Sequence, residues 1–252
     1  MSSRPDIVAV IPARYGSVRL PGKAMADIGG KPMIRHVAER TARSTLVSRV
    51  IVATDHVSIA AAARESGVEA VMTPADLGTG TDRIAFVADS LPGNPVLVNV
   101  QGDEPFISPG MIDDAVRIVL DQPAVHTGTV ASRVRDAAGL GNPDVVKVAV
   151  ALNGDALYFS RSPIPCDTGG GGVPWLRHIG LYVYRKDFLR MFSSWEPTPL
   201  ERAENLEQLR ILEHGYRISV SVGTYETLSV DTPADLENAR AFFRRQPTAE
   251  RT

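Results

Sequence analysis

The sequence has a single cysteine, Cys166, so no disulfide can form within the chain. It also lacks any block of like charge: 27 Lys and Arg stand against 29 Asp and Glu, a net charge of −2. A nucleic-acid binder draws much of its affinity from a positive face, so no nucleic-acid partner is expected. No apolar run approaches the ~20 residues of a bilayer-spanning helix, and the opening Met1-Ser2-Ser3-Arg4-Pro5 has no apolar signal-peptide core. The five histidines include no His-x-x-x-His pair and no cysteine neighbour, which argues against zinc. Lysine occurs only at Lys23, Lys31, Lys147 and Lys186 in an arginine-rich chain. The bias suits a G+C-rich genome, and it makes each retained lysine, a compact point charge, conspicuous. These absences leave a cytoplasmic enzyme without membrane attachment as the expectation.

What is present is a 252-residue chain, 44% hydrophobic, without internal repeats, long enough for one large α/β domain or two small ones. Ile7-Val8-Ala9-Val10-Ile11 is a continuous, β-branched apolar run, the pattern of a strand buried on both faces of a parallel sheet. It runs into Pro12-Ala13-Arg14-Tyr15-Gly16-Ser17-Val18-Arg19-Leu20-Pro21-Gly22-Lys23, a loop with three cations. Ligands of open α/β sheets bind at the carboxyl ends of strands, and a basic loop there suits a polyanion such as a triphosphate. The loop has no Walker A spacing, since five residues rather than four separate Gly16 from Gly22 and Lys23 precedes Ala24, and no G-x-G-x-x-G follows the strand.

Further strands are predicted over 50–55, 68–72 and 95–100, alternating with helices over 31–40, 58–67 and 84–91, with Ser58 as a cap. Such alternation predicts a mixed, mostly parallel, doubly wound sheet with right-handed crossovers. Carboxylates in Gln101-Gly102-Asp103-Glu104 then lie in the same crevice as the basic loop, Gly102 permits a close backbone approach, and Asp103 is a natural ligand for Mg²⁺. After a helix over 108–122 the alternation fails. Strands over 126–134, 144–152 and 156–159, with Asn153-Gly154 as a hairpin signal, form an antiparallel excursion. The glycines at 169–172 suggest a flexible loop, and a strand over 177–185 carries His178 and Tyr182. Another strand is expected over 217–222. The last helix opens near Asp231, which stands where a cap is expected, and the tail after Arg245 is expected to be disordered.

Ile11-Pro12-Ala13-Arg14 with Arg19-Leu20-Pro21-Gly22-Lys23 resembles the signature loop of the sugar nucleotidyltransferases, most closely the branch that activates 3-deoxy-D-manno-octulosonate with CTP. Gly80-Thr81-Asp82-Arg83, Val100-Gln101-Gly102-Asp103-Glu104-Pro105, Arg177-His178-Ile179-Gly180-Leu181-Tyr182, Leu206-Glu207-Gln208 and Val230-Asp231-Thr232-Pro233 continue the resemblance in order, from Ile11 to Leu236. It implies a Rossmann-like nucleotide-diphospho-sugar transferase fold, a single domain over 1–252 with 124–185 as an acceptor and dimerisation subregion, and a homodimer. It implies CMP transfer from CTP to a small acidic acceptor, with pyrophosphate released and Mg²⁺ held by Asp103 and Asp231. Arg14, Lys23, Asp103 and Asp231 would be catalytic. Ala13, Arg14, Arg19, Lys23, Gly80, Thr81, Asp82 and Gln101 would bind the nucleotide, and Gln101, Arg161, His178, Tyr182, Glu207 and Gln208 the acceptor. Two departures are visible: the family's Ile-Pro-Trp is Ile164-Pro165-Cys166 here, and a glycine run follows. They keep open a second acceptor class, a small phosphonate or carboxylate such as phosphonoformate. A non-catalytic CTP-binding module is the alternative of a different class, opposed by the presence of both carboxylates.

Overall fold

The apolar run that opens the sequence forms β1 (Ile7–Ala13), in which every residue but Pro12 is buried. The structure, a computed structural model, describes residues 5–134, 139–168 and 172–246. Most of the glycine run at 169–172 and the tail from residue 247 lie outside the described residues. The chain divides into two compact units, one up to Asp113 together with the chain from Thr227, the other Asp114–Glu226.

In the first unit β1 is followed by a single 3₁₀ turn at Lys23–Met25 and a two-residue hairpin, β2 (Asp27–Ile28) and β3 (Lys31–Pro32). Then come α1 (Met33–Thr41), β4 (Arg49–Thr54), α2 (Val57–Glu65), β5 (Glu69–Met72), α3 (Gly80–Ser90) and β6 (Val96–Asn99). The strands lie in the order β6-β1-β4-β5, all parallel, with Val8 beside Leu97 and Ile11 beside Val52. Because β1 is flanked on both sides, its carboxyl end opens between those of β4 and β6, and the basic loop leaves the sheet there. His56, rather than Ser58, caps α2: its Nδ1 accepts from the Ser58 amide at 3.3 Å. The unit closes with the C-terminal helix α8 (Pro233–Arg245), whose Leu236 and Ala239 pack with Ile28, Met33, Phe106 and Val230.

α4 (Pro109–Asp121) spans the boundary between the units. The second unit contains β7 (Thr127–Arg133), β8 (Lys147–Val150), β9 (Ala156–Ser160), β10 (Leu176–Arg185) and β11 (Ser219–Gly223). β10 pairs antiparallel with β7 and β8, β8 pairs antiparallel with β9, and β11 lies parallel to β7. The expected antiparallel excursion is therefore present, with Gly154 at φ 86° in its hairpin. α4 sits close on β7 because Gly128 has no side chain: a Cβ there would lie 2.9 Å from Ile118 Cγ2.

Three helices escape a periodicity reading: α5 (Lys186–Ser193), α6 (Pro199–Glu204) and α7 (Leu209–Glu213). The last two have 6 and 5 residues, too short for an apolar stripe to repeat. Local chemistry supports them instead: a Thr198–Glu201 capping box opens α6, Asn205 at φ 51° ends it, and buried Arg210 pairs with Glu201 at 2.5 Å.

The buried Asp113 carboxylate gathers the 44–46 turn, accepting from Ser44 Oγ at 2.5 Å, Thr45 Oγ1 at 2.6 Å and the amides of Thr45 and Leu46 at 3.2 Å. Burial works to raise its pKa, but these hydrogen bonds outweigh it and hold the group below its ordinary value. A lowered carboxyl contributes stability that is present above the unfolded pKa and lost as pH falls through the folded one. Asp113→Asn is expected to cost about 1–3 kcal/mol near pH 7. Melting curves between pH 7 and 3 should show the gap to wild type closing below about pH 4; a constant gap would refute this role.

Candidate functional site

A cavity of about 440 Å³ opens at the carboxyl ends of β1 and β6 in the first unit. Its lining includes Ala13, Arg14, Arg19, Lys23, Gly80, Gln101, Asp103 and Asp231, most of the residues that the sequence pattern assigned to a nucleotide and its metal. Thr81 and Asp82 are not among the lining residues. Thr81 is buried, and Asp82 closes a capping box, its carboxylate accepting from the Thr79 amide at 3.0 Å.

At the centre is the Lys23 ammonium, 2.7 Å from Asp103 Oδ2 and 2.9 Å from Asp231 Oδ1. Arg19 reaches the same Asp231 oxygen at 3.0 Å. Burial pulls the Lys23 pKa down, but the charge of Asp103 and hydrogen bonds to both carboxylates more than offset it, and the ammonium titrates above its ordinary value. The backbone enforces the convergence: the Val230 amide donates to the Asp103 carbonyl at 2.9 Å, tying the two carboxylate loops together. A Cβ on Gly102 would stand 2.8 Å from the Pro12 carbonyl oxygen, so the loop after β6 can lie against the end of β1 only with glycine there. Thr232, not Asp231, caps α8, in a box with Asp235, and this leaves the Asp231 side chain to the cavity.

Two hard carboxylate oxygens meeting within hydrogen-bond reach of one cation fit Mg²⁺, which takes one or two carboxylates and fills its shell with water and phosphate oxygens. Among the described residues, no group of three or more His, Cys, Asp or Glu could hold a metal.

The basic loop has a second anchor that the sequence did not single out. Asp55, just past β4, accepts from the Tyr15 amide at 3.0 Å and faces the buried Arg83 guanidinium at 3.7 Å. Arg83 also donates to Thr73 Oγ1 and to the Pro74 carbonyl, and the Tyr15 ring stacks on His56 at 3.9 Å. The available signal was position: Asp55 follows a buried parallel strand at its carboxyl end.

In the second unit, His178 and Tyr182 lie on β10 with ring centroids 5.3 Å apart. The Thr129 hydroxyl donates to the Leu181 carbonyl at 2.8 Å, so it accepts from His178 Nε2 at 3.0 Å. That assigns the ring proton to Nε2 and leaves Nδ1 as an acceptor. Burial pushes the His178 pKa down to about 3, so the ring is neutral. Burial raises the Tyr182 phenol well above its ordinary value, with the charge of Glu207 adding to the effect. Tyr182 Oη and Gln208 Nε2 are buried without a hydrogen-bond partner among the described residues. Each such group costs about 1–3 kcal/mol unless something satisfies it. The second unit thus holds two buried donors without a partner among the described residues and a neutral imidazole acceptor. Arg161 is turned to the backbone: its guanidinium donates to the carbonyls of Glu204 and Pro143 at 2.8 Å and of Asn205 at 3.2 Å.

No helix among the described residues is long and apolar enough to cross a membrane. A family model described as Cytidylyltransferase matches residues 8–218. The 3-deoxy-manno-octulosonate cytidylyltransferase of Geobacter sulfurreducens is 52% identical over 243 residues, covering 92% of this chain and 97% of its own. The enzyme of the same name from Solibacter usitatus is 47% identical, covering 94% of each chain. Among solved structures, CMP:2-keto-3-deoxy-manno-octonic acid synthetase complexed with CTP is 42% identical with a TM-score of 0.90, covering 95% of this chain and 99% of that one. The 4-diphosphocytidyl-2C-methyl-D-erythritol synthase of Anaerococcus prevotii, 14% identical with a TM-score of 0.64, shares the fold. With 52% and 47% of the aligned residues identical to the Geobacter and Solibacter enzymes and a cytidylyltransferase model matching most of its length, the chain belongs to the cytidylyltransferase family, among the 3-deoxy-manno-octulosonate cytidylyltransferases.

Proposed function

We propose that this enzyme transfers CMP from CTP to 3-deoxy-D-manno-octulosonate and releases pyrophosphate, with Mg²⁺ held by Asp103 and Asp231. The observation that carries the reading is the convergence of both carboxylates on the Lys23 ammonium, in a cavity that Arg14 and Arg19 also line. A hydroxyl oxygen of the acceptor attacks the α-phosphorus and gives its proton to solvent, a new P–O bond forms, and the bond from the α-phosphorus to the bridging oxygen breaks as pyrophosphate leaves. Arg14, Arg19 and Lys23 bind the triphosphate and answer the charge that grows on the leaving group. When bound, Mg²⁺ supplies further neutralisation of phosphate charge at the same point. The Asp55–Arg83 pair keeps the basic loop against the sheet through the Tyr15 amide.

The acceptor reading falls to the second unit. Tyr182 Oη and the Gln208 amide donate to carboxylate or hydroxyl oxygens of the sugar acid, and neutral His178 accepts a hydroxyl proton at Nδ1. An eight-carbon polyhydroxy acid has the oxygens to satisfy all three. The Geobacter and Solibacter relatives, at about half identity, are named for that acceptor, and neither supports a phosphonate.

We also place the enzyme in the cytoplasm, as a homodimer joined through the hairpin of β8 and β9. That hairpin holds out two large apolar side chains, Leu152, fully exposed, and Leu157, 64% exposed. Sedimentation should show a wild-type dimer and a Leu157→Glu monomer; a wild-type monomer, or a variant that stays dimeric, would refute the interface.

The function itself is tested by pyrophosphate release with each of four nucleoside triphosphates and a panel of sugar acids and small phosphonates. CTP with 3-deoxy-D-manno-octulosonate should dominate, and Lys23→Ala should lose on the order of 10²-fold in kcat. Equal turnover of all four nucleotides, or none of the sugar acid, would overturn the reading.

A further inference from the structure

Lys147 is 0% exposed, among the largest wholly buried side chains of the protein. Its ammonium donates to the carbonyls of Asn142 at 3.1 Å, Val145 at 2.6 Å and Arg161. An ammonium has three protons, so these acceptors fill its capacity. A charged group is costly to bury, and an apolar side chain of similar length would fill the space without that cost. Burial and the nearby Arg161 charge both push the Lys147 pKa down, so the position does not favour the charge. What the ammonium provides, and a methionine could not, is a joint between backbone segments.

Those segments carry the residues read above as acceptor-facing. The Val146 carbonyl, next to the anchored Val145, accepts from the His178 amide at 2.9 Å, and Lys147 itself stands opposite Arg177 in the pairing of β8 with β10. Phe159, two residues before the third anchored carbonyl, lies with its ring 5.0 Å from that of His178. From Arg161 the connection continues: its amide donates to Glu204 Oε2 at 2.9 Å, and its guanidinium holds the carbonyls of Pro143, Glu204 and Asn205. Asn205 is the left-handed residue that turns the chain out of α6 and into Leu206, Glu207 and Gln208. Two cations thus join the 142–147 segment, the end of β9 and the start of the 205–208 turn, all through backbone carbonyls.

We propose that Lys147 is a positioning residue for acceptor recognition: its buried ammonium locks the 142–146 and 161 backbones together and thereby fixes the placement of His178 and Gln208. The proposal rests on the reading of that group as the acceptor site, and its test separates the two.

Lys147→Met and Lys147→Arg are made in the full chain and compared with wild type by steady-state kinetics with both substrates and by hydrogen exchange. For Lys147→Met the acceptor KM should rise about tenfold or more while the CTP KM stays within about twofold. Amide exchange should accelerate in peptides covering 142–146, 176–180 and 204–208 and stay unchanged over 7–13. Lys147→Arg, which keeps a cation, should recover part of both effects, and it carries the test alone if Lys147→Met fails to fold. A KM for both substrates that moves together, an acceptor KM that does not move, or exchange that accelerates throughout the chain would reduce Lys147 to a general stabiliser and overturn the proposal. The exchange measurement uses no acceptor. If wild type fails to turn over the sugar acid while the local exchange pattern appears, the acceptor reading has failed and the joint at Lys147 stands.

Discussion

One ammonium brings together three segments that are remote in sequence. Lys23 lies in the turn after the basic loop, Asp103 in the loop after β6 and Asp231 in the approach to α8, and both carboxylates come within 2.9 Å of the same nitrogen. Two carboxylates converging on one point repel unless a cation stands between them. The local fold therefore demands a positive charge here, and the Val230–Asp103 backbone hydrogen bond and the close approach at Gly102 leave the two side chains little room to diverge. Arg19 adds to the cluster from an exposed position where solvent screens it, so Lys23, only 19% exposed, is the stronger partner. The same two oxygens that bind an ammonium offer hard ligands to a divalent cation, and the same cations that pair with the carboxylates are suited to phosphates.

The two units gather different chemistry. The first relies on charge at the open end of a parallel sheet, where a buried strand such as β1 delivers a loop without spending its own backbone groups. The second holds neutral, desolvated groups: an imidazole held neutral by burial, a phenol held protonated, and an amide that finds no partner among the described residues. Charge suits a polyanion whose charge increases during reaction, whereas neutral donors and acceptors discriminate hydroxyls by geometry.

The parallel strands were legible because a strand buried on both faces must be a continuous apolar run, and β1, β4 and β6 are such runs. The site loops were legible because cations and carboxylates stand directly after those runs. Short elements were not, since α6 and α7 are held by capping and by the Arg210–Glu201 pair rather than by a repeating apolar face. Asp231 and Ser58 show the limit of cap rules: neighbouring residues, Thr232 and His56, take the capping positions, and only φ and ψ distinguish one candidate from the next. Lys147 was conspicuous by rarity, yet nothing in its neighbours announces a cation inside the core, because its partners are backbone carbonyls that every sequence possesses.

The dependence of the site on a shared cation is tested most directly by Mn²⁺ titration, with Mn²⁺ standing in for Mg²⁺ and electron paramagnetic resonance as the readout. If Lys23 fills the place between Asp103 and Asp231 until phosphates draw it away, wild type should bind Mn²⁺ weakly alone and tightly with CTP, and Lys23→Met should bind it without nucleotide. Equal affinity of wild type with and without CTP, together with no gain in Lys23→Met, would contradict the account.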